Sequence, residues 1–394
     1  MKPPSREFQI FVKPAGALCN LHCTYCYYLE KKSLYPGNKS PLMSETLLEK
    51  YVIQHILAST DDLIYFSWHG GEPMLAGKDF YKTAVQLQKK HLPSGKRILN
   101  GIQTNGTLID EEWCRFFADE NFVIGISLDG PGELHNQNRH DEKKRQSFDR
   151  VIKGYKLLQK YGINPEILCV VNSVNVKNPL VVYEFFRRLG AEYITFLPLV
   201  NRLDDPSEPV SKNSVPAQAF GEFLSAVFDE WIEKDIGKIK IQIFEEAART
   251  AFKQEHTLCI FKKNCGGVTV IEHNGDFYSC DHFVDKDHRL GNISEHPLEY
   301  YLDSPEQKRF GEAKSLKLPR YCLECEVKEM CNGECPKNRF INSPYGEPGL
   351  NYLCSGYKQF FNHIRPFVEA IGAEWQKTHF GVSKKSKSIN RRGR

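Results

Sequence analysis

The stretch Cys19-Asn-Leu-His-Cys23-Thr-Tyr-Cys26 spaces three thiols as C-x3-C-x2-C. It follows a short β-rich run, Phe8 to Val12, and reads as the loop that leaves a first strand. Three thiolates hold three irons of a four-iron cluster and leave the fourth open, which gives a redox metal a vacant coordination position. The competing reading is zinc, but structural zinc takes four closed ligands, and no His or Cys follows here at finger spacing.

Outward from that loop, short β-rich runs alternate with amphipathic helical runs from Phe8 to about Lys234. Strands are expected at Phe8 to Val12, Leu63 to Trp68, Arg97 to Gln103, Phe122 to Leu128, Glu166 to Asn172 and Tyr193 to Leu197. Helices are expected at Ser44 to Leu57, Asp79 to His91, Asp110 to Ala118, Ser147 to Tyr161 and Pro179 to Leu189, several opened by Ser or Asp as N-caps. Six β/α repeats imply a parallel sheet with helices outside, either doubly wound or curled into a barrel. The pattern alone does not choose between them.

In both, ligands sit beyond the carboxyl ends of the strands. The polar motifs fall there: His69-Gly70-Gly71-Glu72-Pro73 after the second strand, Thr104-Asn105-Gly106-Thr107 after the third, and Ser127-Leu-Asp129-Gly130 after the fourth. His135 and Arg139 come shortly beyond, and Phe196-Leu197-Pro198 ends the sixth strand. Gly70 and Gly71 lack a Cβ, so their backbone can approach a ligand closely. The segment Asn201 to Pro216, rich in Asp, Pro and Ser, reads as a loop before a helix at Gln218 to Lys234, with a domain boundary expected near Asp235 to Gly237.

Past that boundary the alternation is expected to stop and cysteines gather: Cys259, Cys265, Cys280, Cys322, Cys325, Cys331, Cys335 and Cys354. Cys265 and Cys280 bracket two short strands around Asn274-Gly275, a pair suited to a two-residue hairpin, which would bring both thiols to one end. Cys322-x2-Cys325-x5-Cys331-x3-Cys335 is dense enough for several thiols to face one metal centre, and a zinc ribbon is the alternative to an iron cluster. Cys114 and Cys169 sit in apolar runs and read as small core residues.

Length and composition bound the rest. A chain of 394 residues with 41% apolar content can bury a large core, and its thirteen cysteines, an odd count, argue for metal ligation in a reducing compartment. The six cations between Lys384 and Arg394 exceed the whole formal charge of +4, so the body has no general basic face for nucleic acid. No apolar run is long enough to span a bilayer and no signal-peptide core is present, so a cytoplasmic protein is expected.

The triplet with aromatic Tyr25 before Cys26 resembles the signature of radical S-adenosylmethionine (SAM) enzymes. The longer run Lys13-Pro-Ala-Gly-Ala-Leu-Cys19 through Cys26-Tyr-Tyr-Leu-Glu-Lys31 is similar to the anaerobic sulfatase-maturating branch, and the likeness covers about Phe8 to Phe380. It implies an α/β fold: a partial (β/α)6 radical SAM barrel over residues 1–235, a cysteine-rich SPASM domain over 236–380, and a basic tail, 381–394, expected to be disordered.

The same resemblance implies that Cys19, Cys23 and Cys26 hold the cluster that binds SAM, with contacts to SAM from Tyr25, Gly70, Gly71, Glu72, Asn105, Ser127, Arg139 and Leu197. Cys259, Cys265, Cys280 and Cys335 would hold one auxiliary cluster, and Cys322, Cys325, Cys331 and Cys354 another, for three [4Fe-4S] clusters in all. Asp281 matches the position of a proton acceptor, and Tyr28 a position near the substrate peptide. The reaction implied converts the Cys or Ser of a Cys-x-Pro-x-Arg or Ser-x-Pro-x-Arg sulfatase precursor into Cα-formylglycine, with electrons from a reductant such as flavodoxin or ferredoxin. One rival is a SPASM maturase that crosslinks a ribosomal peptide, for instance by a thioether; Asp281 and the lack of an obvious leader-binding domain before Phe8 weigh against it. A zinc-stabilised binding module is the other.

Overall fold

The computed structural model describes residues 7–36, 42–203, 205 and 207–380; the basic tail lies outside them. Six strands, β1 (Gln9–Lys13), β2 (Leu63–Trp68), β3 (Arg97–Thr104), β4 (Val123–Ser127), β5 (Glu166–Val171) and β6 (Tyr193–Pro198), pair in chain order and in parallel. The helices that connect them are α1 (Glu45–Ala58), α2 (Lys78–His91), α3 (Glu111–Asp119), α4 (Gly132–His135), α5 (Phe148–Lys160) and α6 (Pro179–Leu189), followed by α7 (Ala217–Lys234). Ser44 and Asp110 cap α1 and α3 by accepting from Leu47 and Trp113. Ser147 does not cap α5; Asn136 Oδ1 accepts from Ser147 N and Phe148 N instead.

The sheet does not close on itself, because both edges of the six strands take further strands, so this is a partial barrel. A seventh unit, β7 (Lys240–Ile241) and α8 (Gln242–Ala251), extends the β6 edge. The expected end of the alternation at Asp235 therefore comes one unit early, since two residues are too few to show a strand period. On the other edge, β8 (Val268–Glu272) runs parallel to β1 with Gln9 opposite Val268 and Lys13 opposite Glu272. Then β9 (Asp276–Tyr278) and β10 (Arg289–Asn292) follow antiparallel, completing ten strands. The β8–β9 turn is longer than the expected two residues: Gly275 N bonds to Glu272 O at 2.8 Å, and of the turn residues only Gly275 has positive φ. A three-residue loop closed by a left-handed glycine needs no second positive φ.

The remainder is α9 (Leu298–Leu302), α10 (Pro305–Leu316), α11 (Arg320–Leu323), α12 (Lys328–Cys331), the hairpin of β11 (Arg339–Asn342) and β12 (Pro348–Asn351), and the long α13 (Cys354–Phe380). Helix α13 crosses α7 at bare backbone. A Cβ on Gly356 would stand 1.9 Å from Ala217 O, and one on Gly221 2.4 Å from Gly356 O. Phe220 and Tyr357, both buried, meet edge to face beside that crossing, and burying the Phe alone is worth ~2–3 kcal/mol. The contact fixes the start of α13, and with it Cys354. Among the described residues no helix is long and apolar enough to cross a membrane.

Candidate active site and thiol sets

The loop after β1 is laid against the loop after β2 by backbone alone. Gly71 N donates to Gly16 O at 2.9 Å and Glu72 N to Leu18 O at 2.8 Å. Both glycines are needed for that approach: Gly70 has φ +132°, and a Cβ on Gly71 would lie 2.3 Å from Leu18 O. On the far side His22 N and Thr24 N donate to the carbonyls of His140 and Asn138. Cys19, Cys23 and Cys26 are thereby presented at the carboxyl end of the sheet. Burial pushes the Cys19 thiol up to about 11 and the Cys23 thiol up to about 12. Thiols so placed ionise only when a cation, as in a metal cluster, compensates them.

Glu72 does not point outward. Fully buried, it accepts from Met74 N at 3.0 Å, Thr104 Oγ1 at 2.8 Å and Asn105 N at 2.8 Å, so it ties the second strand end to the third. Burial raises its carboxyl to about 7 against those three donors. Asn105 Nδ2 in turn reaches Asn20 Oδ1 at 2.8 Å and Cys19 Sγ at 3.8 Å. Ser127 Oγ accepts from Gln103 Nε2 at 3.2 Å, and Leu197 lies on β6 opposite Val170.

Arg139 and Tyr25 converge on a residue that the sequence reading quoted but did not assign. The Arg139 fork donates to Asp129 Oδ2 at 2.9 Å and Oδ1 at 3.2 Å, and the Tyr25 hydroxyl bonds to Oδ2 of the same carboxylate. Val170 N adds a fourth bond at 3.0 Å. The guanidinium expected to meet a ligand carboxylate is thus paired with a buried one from its own chain. The clue was Asp129 itself, an acid at the end of an apolar strand.

Asp281, directly after Cys280, is held between both halves of the chain. Lys13 Nζ, at the end of β1, stands 2.5 Å from Oδ1, and the Tyr27 hydroxyl donates to Oδ2 at 2.6 Å. Burial would raise its carboxyl, but Lys13, His282 and the Tyr27 hydroxyl outweigh it and hold the group well below the usual carboxylate range. Asp281 is therefore an ionised acceptor. Tyr28 does not reach it; its hydroxyl donates to buried Glu272 on β8 while Lys13 Nζ lies 4.6 Å above its ring. Lys13, Tyr27 and Glu272 were missed from sequence, although a charge closing each apolar run, Ile-Phe-Val-Lys13 and Val-Ile-Glu272, was the available signal.

The eight later thiols fall into two groups. Burial raises all of them, and within one group neighbours add to it: Cys265 acts on Cys259, Cys259 and Cys265 on Cys280, and Cys280 and Cys259 on Cys335. In the other, Cys354 and Cys322 act on Cys331, and Cys322 and Cys325 on Cys354. Cys322, Cys325, Cys331 and Cys354 line a single pocket. Among the described residues no three His, Cys, Asp or Glu are grouped tightly enough to hold one metal ion. A four-iron cluster asks for something else, since its thiolates bind separate irons. The donor set fits such clusters: all-sulfur, buried or half-buried with none exposed, and in groups of three, four and four. Cys114 and Cys169 stay in the core.

Comparison with known proteins assigns the first triplet and the start of the later cysteine-rich region to two different family models. The model of the radical SAM superfamily matches residues 15–179, and that of the SPASM iron-sulfur cluster-binding domain matches residues 259–326. A serine-type anaerobic sulfatase-maturating enzyme of Bacteroides thetaiotaomicron is 42% identical, covering 94% of this chain and 93% of that protein. A cysteine-type enzyme of Clostridium perfringens is 32% identical, covering 91% and 96%. Native anSMEcpe, solved with bound AdoMet and the Cp18Cys peptide, superposes with a TM-score of 0.84 at 30% identity, covering 94% of this chain and all of that one. The chain belongs to the anaerobic sulfatase-maturating enzymes, which are radical SAM proteins carrying a SPASM iron-sulfur extension.

Proposed function

We propose that the chain oxidises the target Ser or Cys of a sulfatase precursor to Cα-formylglycine. The observation that carries the reading is Asp281, an ionised acceptor seated beside Cys280 and pinned from the barrel side by Lys13. When bound, SAM on an iron-sulfur cluster supplies a reductively generated radical able to take hydrogen from an unactivated carbon. Cys19, Cys23 and Cys26 hold that cluster, and the Gly70–Gly71 backbone, Asn105, Ser127 and Leu197 shape the space for SAM, with Tyr25 and Arg139 fixed behind it on Asp129. The other eight cysteines hold two further four-iron clusters, three in all. Asp281 takes the proton of the target side chain on a carboxylate that accepts from the Tyr27 hydroxyl, and the auxiliary clusters would take the second electron of the oxidation. Tyr28, whose family position lies near the substrate peptide, is anchored by buried Glu272.

The precursor motif is Ser-x-Pro-x-Arg or Cys-x-Pro-x-Arg, and flavodoxin or ferredoxin supplies the electron. The higher identity to a serine-type relative, 42% against 32%, supports Ser as the preferred target. The test is anaerobic incubation of the reconstituted chain with SAM, a reductant and each peptide, read by mass spectrometry. Formylglycine in the Ser peptide is expected; unchanged mass of both peptides with clusters intact would sink the proposal.

A further inference from the structure

Between the two later thiol groups the chain makes a strained turn. Asn332, Gly333 and Glu334 join Cys331 of one group to Cys335 of the other, and all three have positive φ, at 47°, 71° and 49°. For the two that are not glycine, such a conformation costs roughly 1–3 kcal/mol each and persists only where the surroundings impose it. Arg339 imposes it. Its Nε donates to Gly333 O at 2.8 Å, its guanidinium nitrogens to Asn332 O at 2.9 Å, to Glu334 O at 3.0 Å, and to Lys314 O at 2.5 Å on α10. One side chain takes a carbonyl from every residue of the turn. Lys314 repeats the device, its buried Nζ donating to Cys259 O at 2.9 Å and Ile260 O at 2.6 Å.

Neutral donors would satisfy carbonyls, so the choice of a cation needs another reason. Arginine keeps its charge at any working pH. At this position the charge acts on Cys322 and Cys331 of one group, on the buried Glu334 carboxylate of the turn, and on Cys265 of the other group, in partly buried surroundings where screening is weak. Net charge near an iron-sulfur cluster sets its reduction potential, and a cation favours the reduced form.

We propose that Arg339 is a positioning residue shared by both auxiliary centres, its one fixed charge, held on the turn that links them, raising both reduction potentials together. This rests on the reading that the eight thiols hold two four-iron clusters. The test reconstitutes full-length wild type, R339Q and R339K without oxygen, counts iron and sulfide, and titrates each centre by electron paramagnetic resonance at controlled potential. Wild type that takes up iron for one cluster only removes the cluster reading itself, and this inference with it.

With wild type fully loaded, R339Q is expected to move both auxiliary centres to more negative potential by a tenfold or greater loss in the reduction constant, about 59 mV for one electron. The SAM-binding centre stays in place, and R339K keeps wild-type potentials within threefold. Unmoved potentials in loaded R339Q, a shift in one auxiliary centre alone, a shift in the SAM-binding centre as well, or R339K moving as far as R339Q each overturn the inference. If R339Q takes up no auxiliary iron, R339K decides: full loading at wild-type potentials supports the charge as the requirement, and anything else overturns it.

Discussion

The barrel mouth and the cysteine-rich end present thiols in opposite electrostatic settings. At the mouth the buried charges are satisfied within the protein: Asp129 takes the Arg139 fork, and Glu72 takes three donors. At the other end Lys314 and Arg339 direct their N–H groups to carbonyls. Their charge is then left to act on the thiols around them. The first arrangement commits its donors to its own carboxylates, and the second leaves two cations facing thiols.

The sharpest way to separate the regions is to remove one thiol from each. Cys23→Ala is expected to abolish deoxyadenosine formation from SAM. Cys331→Ala should leave that formation in place and remove formylglycine, as chromatography and peptide mass would reveal. Next in size is Asp281→Asn, which should slow peptide oxidation by about 10²–10⁴-fold while SAM cleavage continues. A variant equally impaired in both would place Asp281 at the barrel mouth rather than beside the substrate.

Lys13 joins the regions, so its loss should be felt in stability. Lys13→Met leaves the half-buried Asp281 carboxylate with the Tyr27 hydroxyl but no cation, at a cost of about 3 kcal/mol in urea unfolding. The K13M/D281N double variant should recover much of it; strict additivity would mean the two do not interact.

Glu72 gives a pH-dependent effect. Its folded-state pKa, about 7, lies above the ordinary 4.5, so the folded chain binds this proton more tightly than the unfolded one. The stabilisation is fully present below about 4.5 and is lost as pH rises through about 7, up to roughly 3 kcal/mol in all. Glu72→Gln should flatten the fall of stability across that window, and an unchanged slope would show the carboxylate ionised throughout. Smallest is Lys89→Ala: its exposed pair with Glu120 should matter by less than ~0.5 kcal/mol in thermal unfolding.

The six strands were legible because each is a buried parallel run bounded by turn residues, and the cysteines because thiol spacing carries its own chemistry. Hidden were the features set by long-range pairing. Nothing near Val268 indicates that it will lie beside Gln9, and β7 is too short to carry a period. The 27-residue α13, with Pro366 inside it, gave no clean helical signal; its place is decided by the Gly221–Gly356 crossing, which only the fold brings together. Arg139 is expected to pair with a ligand carboxylate because its guanidinium fork suits one, and the same fork holds Asp129, ten positions earlier. Nothing local to either residue announces that pair.

The position of β1 has a consequence for biosynthesis. It leaves the ribosome ahead of both strands it pairs with, and β2 follows soon after, yet its other neighbour is encoded some 260 residues downstream. At translation rates of about 5–20 residues per second, that leaves a naked strand edge waiting roughly 13–52 s for its mate. During that interval the nascent chain is open to capture by any extended peptide, and this is where misassembly of the newborn protein would begin.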